Sequence, residues 1–192
     1  MRGRLSAGFT MIELITVIVL IGVLGAVGAV RFFDNTLFES KAYADQAKAV
    51  IRFAQKLAIA QNRQVYVRSE PAGFAVCLQP GCAAGGDLAG APGGSNSGKA
   101  MTQAYCQLSS SYVANWMCEG RPANVNVASD SVRNEFAAGG YFSFDGMGRP
   151  YNSTDVAGSG TSTFGTMQLT FSSGANAFTV VIERETGYVH DL

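Results

Sequence analysis

At 192 residues the chain is long enough for one domain beyond a membrane segment, and its 14 basic and 14 acidic residues cancel. That balance excludes the electrostatic footprint of a general nucleic-acid binder. With 47% hydrophobic residues, only 15% charged and 23 glycines, the composition fits a β-rich, loop-rich domain better than a charged helical one.

The chain opens "MRGRLSAGFTMIELITVIVLIGVLGAVGAVRFF". Residues 1–8 carry Arg2 and Arg4 and no acid. Residues 9–30 are apolar apart from one carboxylate, Glu13. A hydrocarbon core takes roughly 20 helical residues, so this run is long enough to span it. The arginines in front keep the N-terminus in the cytoplasm and export the rest, and Arg31 can snorkel to the far headgroups. An ordinary signal peptide, for which "GAVGA" offers a small-residue cleavage site, gives no reason for Glu13. A carboxylate in hydrocarbon costs about 3 kcal/mol, so its presence asks for a partner. A cut between Gly8 and Phe9 supplies one: the new α-amine of Phe9 lies four residues from Glu13, about one helical turn. Without such a partner the burial would be costly.

"GFTMIEL" resembles the type III signal of type IV pilins and pseudopilins, and the resemblance extends over residues 1–30. It implies that a membrane-embedded prepilin peptidase cuts after Gly8 and N-methylates Phe9. The hydrophobic helix then stays attached and packs into a filament core, where Glu13 neutralises the Phe9 amine of an adjacent subunit. Many members of that family carry a proline where this chain has Val30. Gly22, Gly25 and Gly28 supply weak points in the helix instead. Gly22/Ala26 and Gly25/Ala29 also have the small-xxx-small spacing of close helix packing, although small residues are frequent in membrane helices generally.

Residues 31–63 continue the helix as an amphipathic one. Tyr43, Ala47, Val50, Ile51, Ala54, Leu57 and Ala58 fall at spacings of three and four, with Lys41, Asp45, Lys48, Arg52 and Lys56 on the other side. The charges read as a solvated face, with Lys41/Asp45 and Asp45/Lys48 as weak helix pairs. The expectation is one helix through residues 9–63, transmembrane in its first half and amphipathic in its second.

Residues 64–192 read as a β-rich head. "QVYVRS" and "GFAVCLQ" alternate as strands around a turn with Pro71 and Gly73. A glycine-rich loop, "GCAAGGDLAGAPGGSNSGKA", follows over residues 80–100. "YFSF" precedes the turn signal "DGMGRP". "MQLTF" and "FTVVIERE" form a hairpin about "SSGANA", with Phe178, Val180 and Ile182 on one face, and "TG" turns into "YVHDL". The fold class is α+β, a long N-terminal helix packed on an antiparallel sheet.

Cys77, Cys82, Cys106 and Cys118 all lie in the head. In an exported domain an even set reads as two disulfides. Zinc is disfavoured by the C-x4-C and C-x11-C spacings and by the distance of the one histidine, His190. Of the three connectivities, locality favours Cys77–Cys82 with Cys106–Cys118, and the others stay open.

No nucleophile elbow, phosphate loop or metalloprotease motif is present, so no catalytic residue, metal or cofactor is expected. His190, Asp145, Glu183 and Glu185 show no acid–base pairing in the sequence. Tyr112 and Trp116 read as packing residues before a contact patch. Asn152-Ser153-Thr154 is a formal glycosylation sequon, and Arg121 and Arg133 are scant support for DNA binding.

"AVIRFAQKLAIAQNRQVYV", "YFSFDGMGRP" and "VVIERETGYV" are similar to the minor pilin group that includes the type II secretion pseudopilin H. "RFAQKLAIAQNRQV" further resembles minor pilin C of the mannose-sensitive haemagglutinin pilus. The resemblance implies a non-catalytic minor subunit that helps to assemble, initiate or cap a type IV pilus. The alternatives it leaves are a minor pseudopilin or a tip-located binding module. The implied partners are other pilins or pseudopilins, the prepilin peptidase, an inner-membrane assembly platform and the lipid bilayer. The implied location is the bacterial inner membrane, with the head in the periplasm, and then a filament.

Overall fold

The structure, a computed structural model, describes residues 9–32, 35–131, 134–156 and 159–192. The chain forms two compact units, Met1–Asn35 and Thr36–Leu192. In the first, helix α1 runs over the 22 residues Met11–Phe32. Every side chain described on it, from Met11 to Gly25, is exposed. Among the described residues no helix is long and apolar enough to cross a membrane. The expected single helix passes through residues 33 and 34, which lie outside the described residues.

The second unit is built on helix α2, Asn35–Gln61. It ends two residues before the expected boundary, and Asn62 explains why. Its φ of 45° is left-handed, and its N–H reaches Ile59 O at 3.2 Å while that of Arg63 reaches Ala58 O at 3.2 Å. Those two bonds close a Schellman cap, with asparagine in the place usually taken by glycine.

Hairpin β1 (Val65–Glu70) and β2 (Gly73–Cys77) follows. Its turn is the two residues Pro71 and Ala72, because Gly73 already pairs with Glu70. The segment after Cys77 makes a single 3-10 turn, Gly85–Asp87, and leads to helix α3, Ala100–Tyr105. Two ribbon strands, β3 (Gln107–Leu108) and β4 (Ser111–Tyr112), precede β5 (Cys118–Gly120) and β6 (Asn126–Ser129). Then come β7 (Tyr141–Phe144), β8 (Pro150–Asn152), β9 (Met167–Ser173), β10 (Asn176–Ile182) and β11 (Val189–Asp191).

All pairings are antiparallel, and they give a five-stranded sheet β5-β2-β1-β7-β8 and a four-stranded sheet β11-β10-β9-β6. The mixed α+β architecture expected of the head is therefore present. The strand expected through Glu185 stops at Ile182, because Glu183 starts a tight turn. Gly187 N donates to Glu183 O at 2.8 Å, with Gly187 at φ 63°.

The inner faces of both sheets and one stripe of α2 make one core. The buried stripe is Tyr43, Ala44, Ala47, Val50, Ile51, Ala54 and Ala58, with Leu57 half-buried at its margin. Alanine at four of these seven positions lets the helix axis approach the sheets closely, and Tyr43 fills the remaining gap. Its ring lies 6.3 Å from that of Phe74 in β2 and 5.7 Å from that of Phe171 in β9, so one side chain ties the helix to both sheets.

The charged side of α2 departs from expectation: it is only partly a solvated face. Lys48 donates to Asp191 Oδ1 at 2.8 Å, and Arg52 donates to Val189 O at 3.0 Å from Nε. These contacts hold the C-terminal strand β11 against the helix. Sequence spacing located the charges but not a partner more than a hundred residues away.

Candidate functional site

At the start of α1, Phe9 is 80% exposed. Thr10 is the residue before the first helical position, and Glu13 is the third position inside. The Thr10 hydroxyl accepts the Glu13 N–H at 3.3 Å, while Glu13 Oε2 accepts the Thr10 N–H and hydroxyl, each at 3.4 Å. This is a reciprocal capping box, long in each bond. Thr-x-x-Glu was legible in "TMIE" and was not read as a helix start. The Glu13 carboxylate thus satisfies the Thr10 amide of its own chain and sits favourably at the positive end of the helix dipole. Gly8 lies outside the described residues, as do the side chains of Ala26 and Ala29. A Cβ on Gly22 or Gly25 would meet nothing within 4 Å, so both positions present open backbone.

In the head, the structure pairs Cys77 with Cys82 and Cys106 with Cys118. Both bonds pack with Ala75 around Trp116, which is 1% exposed and donates its indole N–H to Val76 O at 2.8 Å. Trp116 is a packing residue, and the hydroxyl of Tyr112 donates to Asn96 Oδ1. The glycine-rich segment is pinned by side chains: Asn96 donates to Val113 O at 3.1 Å, and Glu119 accepts Ser97 N at 2.9 Å and the Thr102 hydroxyl at 3.0 Å. Helix α3, unseen in the sequence, lies on the pair Gly73–Gly120, where a Cβ at Gly120 would overlap Met101 O and one at Gly73 would meet the Tyr105 ring at 2.5 Å.

The scattered acids and bases are structural. His190 Nε2 faces Glu183 Oε1 at 3.0 Å, and its Nδ1 faces Asp191 O at 3.0 Å. Both acceptors favour protons on both ring nitrogens, and the Glu183 carboxylate first, then the Asp191 carbonyl, raise the imidazole pKa. Asp145 Oδ1 accepts the N–H groups of Met147 and Arg149, each at 2.9 Å, and so shapes its own turn. Glu185 pairs with the neighbouring Arg184 at 3.4 Å in full view of solvent. Arg121 spends its guanidinium on Pro71 O and Val125 O, and Arg133 lies outside the described residues. Asn152 is 3% exposed with its Nδ2 buried, so the sequon asparagine is sequestered in the folded head. No group of three or more metal-ligating side chains occurs among the described residues. Arg68 and Glu70, 2.5 Å apart, line a cleft of about 240 Å³ with Tyr66, Tyr141 and Cys82.

The three motifs that carried the second resemblance meet at one residue of α2. Gln55 Nε2 donates to Gly148 O at 3.0 Å in the "DGMGRP" turn and to Thr186 O at 2.8 Å in the "RETG" turn. The two turns touch there, since a Cβ at Gly187 would lie 2.5 Å from Gly148 O. Gly148 at φ 82° and Gly187 at φ 63° supply the left-handed backbone this junction requires.

No family model matches the chain, and no curated protein matches it. Two crystal structures of the type IV minor pilin FimU of Pseudomonas aeruginosa strain PAO1 align with it, one in space group P65 and one in P21. The first has a TM-score of 0.44 at 12% identity and covers 79% of this chain and 91% of that one. The second has a TM-score of 0.44 at 11% identity and covers 80% of this chain and 88% of that one. Likeness of that degree carries no functional weight.

Proposed function

We propose that the chain is a non-catalytic subunit of a type IV pilus, cut between Gly8 and Phe9 and anchored in the inner membrane by its apolar N-terminal helix. The observation that carries this reading is α1 itself. From Met11 to Gly25 its side chains are exposed on every side, with Glu13 the single charge. A helix apolar all round belongs among lipid tails or other apolar helices. Its acid, one turn from the new Phe9 amine, gives the helix a reason to choose a neighbouring subunit over lipid. A head with its own core, stapled by two disulfides, fits the oxidising side of that membrane. The peptidase, the assembly platform and neighbouring pilins are the partners this reading requires.

Glu13→Gln is the sharp test, because glutamine at that helix position keeps the capping box while removing the charge. The variant is expected to insert in the membrane in normal amount and to be absent from filaments. Filaments that incorporate it normally overturn the proposed role of the carboxylate. Mass spectrometry of the mature N-terminus tests the processing: methylated Phe9 supports it, and a start after Ala29 restores an ordinary signal peptide. The motifs that resemble the pseudopilin H group and the haemagglutinin-pilus minor pilin C serve packing around Gln55. They add no separate support for either system.

A further inference from the structure

The disulfides join the cysteines in chain order, the first to the second across 5 residues and the third to the fourth across 12. Yet all four sulfurs end in one buried cluster. Cys118 in β5 stands opposite Ala75 in β2. Cys77 is two residues further along β2, on the same face as Ala75. Cys77 and Cys118 are therefore diagonal neighbours across the ladder. Such neighbours sit about 7–8 Å apart, just beyond the reach of about 4.4–6.8 Å between Cα atoms that a disulfide spans. A slip of β5 by two residues would bring Cys118 opposite Cys77. An even slip leaves every side chain on its own face, so the burial pattern does not resist it. What resists it in the finished head is α3, which fits flush only where Gly120 lies against Gly73.

We propose that the Cys77–Cys82 bond is a register guard: it removes the Cys77 thiol before Cys118 arrives, so that β5 cannot be locked to β2 in the wrong register. Cys82 emerges in synthesis soon after Cys77, and well before Cys106 and Cys118. A disulfide-bearing oxidase acting on the chain as it crosses the membrane closes this bond first. The Cys77 thiolate attacks the oxidase disulfide, and the Cys82 thiolate then displaces the oxidase as its dithiol. Two thiols are oxidised, one disulfide is reduced, and the two thiol protons end on the oxidase dithiol. The remaining pair can form only Cys106–Cys118. The head thus needs a thiol oxidase and needs no disulfide isomerase. That compartmental part rests on the exported-head reading.

The guard predicts an unusual order among variants. In Cys82→Ser the freed Cys77 thiolate attacks Cys118, forms Cys77–Cys118 and expels Cys106 as its thiolate. The double variant Cys77→Ser with Cys82→Ser has no such attacker and keeps Cys106–Cys118. The single variant is therefore worse than the double. Non-reducing peptide mass spectrometry of the full chain, made in cells with and without a periplasmic isomerase, reads the linkages directly. Expected are native pairs in the wild type in both strains, and Cys77–Cys118 as the dominant linkage in Cys82→Ser. If Cys82→Ser keeps Cys106–Cys118 with Cys77 open to alkylation, or scatters its linkages without preference, the guard is wrong. The same three chains, reduced and refolded in detergent with a glutathione redox buffer, decide the guard independently of export. Four free thiols in the cell-made wild type would count against the exported head alone.

Discussion

Helices α1 and α2 stand on two sides of one physical question: what an apolar helical surface is for. On α2 the core-facing stripe is used within the chain, with Tyr43, Ala47, Ile51 and Ala54 each 1% exposed or less, while Phe38 and Ile59 near its two ends stay exposed. On α1 they occupy every side, and none of the described ones is covered: Met11 is 83% exposed, Ile15 51% and Leu24 70%. The second helix found its solvent among its own sheets. The first has to find its solvent outside the unit it belongs to. Charge follows the same division. Lys48 and Arg52 on α2 are tied to β11, whereas among the described residues the Glu13 carboxylate on α1 meets only Thr10 of its own first turn.

Truncating the shared theme breaks the comparison most sharply. Tyr43→Ala removes the ring that joins α2 to both sheets, and a loss of about 3–5 kcal/mol in head stability is expected. Ile15→Ala removes an apolar side chain of α1 and should leave the stability of the head within about 0.5 kcal/mol of wild type. Thermal or urea unfolding followed by the fluorescence of the single tryptophan, Trp116, reads both. Equal losses would mean that α1 is part of the head's core.

Gln55→Ala comes next. It removes one amide that satisfies two carbonyls from distant turns, for an expected loss of about 1–3 kcal/mol. Hydrogen exchange should show the loss concentrated at residues 145–150 and 183–187. Uniform weakening across the head would show that the two turns hold themselves.

How much of this could be read from the chain follows from sequence distance. Hairpins β1–β2 and β9–β10 were legible because both partners alternate and the turn lies between them. The Tyr43 stripe was legible because 3.6-residue periodicity is local. Strands β5, β6 and β8 have only three or four residues each, so no alternation builds up, and the partners of β5 and β6 also lie far along the chain. Helix α3 was missed because six residues carry little periodicity and its footing is a pair of glycines on two strands. Nothing local to Gln55 says that two turns will converge on it. At the candidate site the leader, residues 1–8, lies outside the described residues, and the capping signal of Thr10 with Glu13 was present in the sequence and was overlooked.

A smaller effect separates the charges on α2 from a merely wet face. Asp191 and Asp45 have pKa values held below the usual carboxylate range, in each case chiefly by the hydrogen bond from Lys48. A depressed folded pKa gives stability that is present above the unfolded value near 3.9 and is lost as pH falls through the folded one. Lys48→Met should weaken that acid-side dependence, leaving the part that Lys41 maintains at Asp45. The cost at neutral pH should be below about 1 kcal/mol, since both carboxylates are about half exposed and screened by water. An acid limb unchanged by the substitution would return these charges to a solvated face.

The smallest expected effect lies one residue away on the same strand and has the opposite sign. His190 carries a raised pKa, set first by the Glu183 carboxylate and then by the Asp191 carbonyl. A raised folded pKa gives stability that is fully present below the unfolded value near 6.5 and fades as pH climbs through the folded one. Lys48 and Asp191 remain ionised throughout that window, so β11 keeps its hold on α2 while its hold on Glu183 weakens. His190→Gln preserves a donor to Glu183 and removes the titration. The slope of stability against pH on the alkaline side of 6.5 should therefore flatten in the variant, with the acid limb set by Asp45 and Asp191 untouched. Histidine nuclear magnetic resonance shifts across the same range give the folded pKa directly. A value at or below that of a free histidine would mean that the Glu183 contact does not persist in solution, and β11 would then be held only by its ladder with β10 and by the helix.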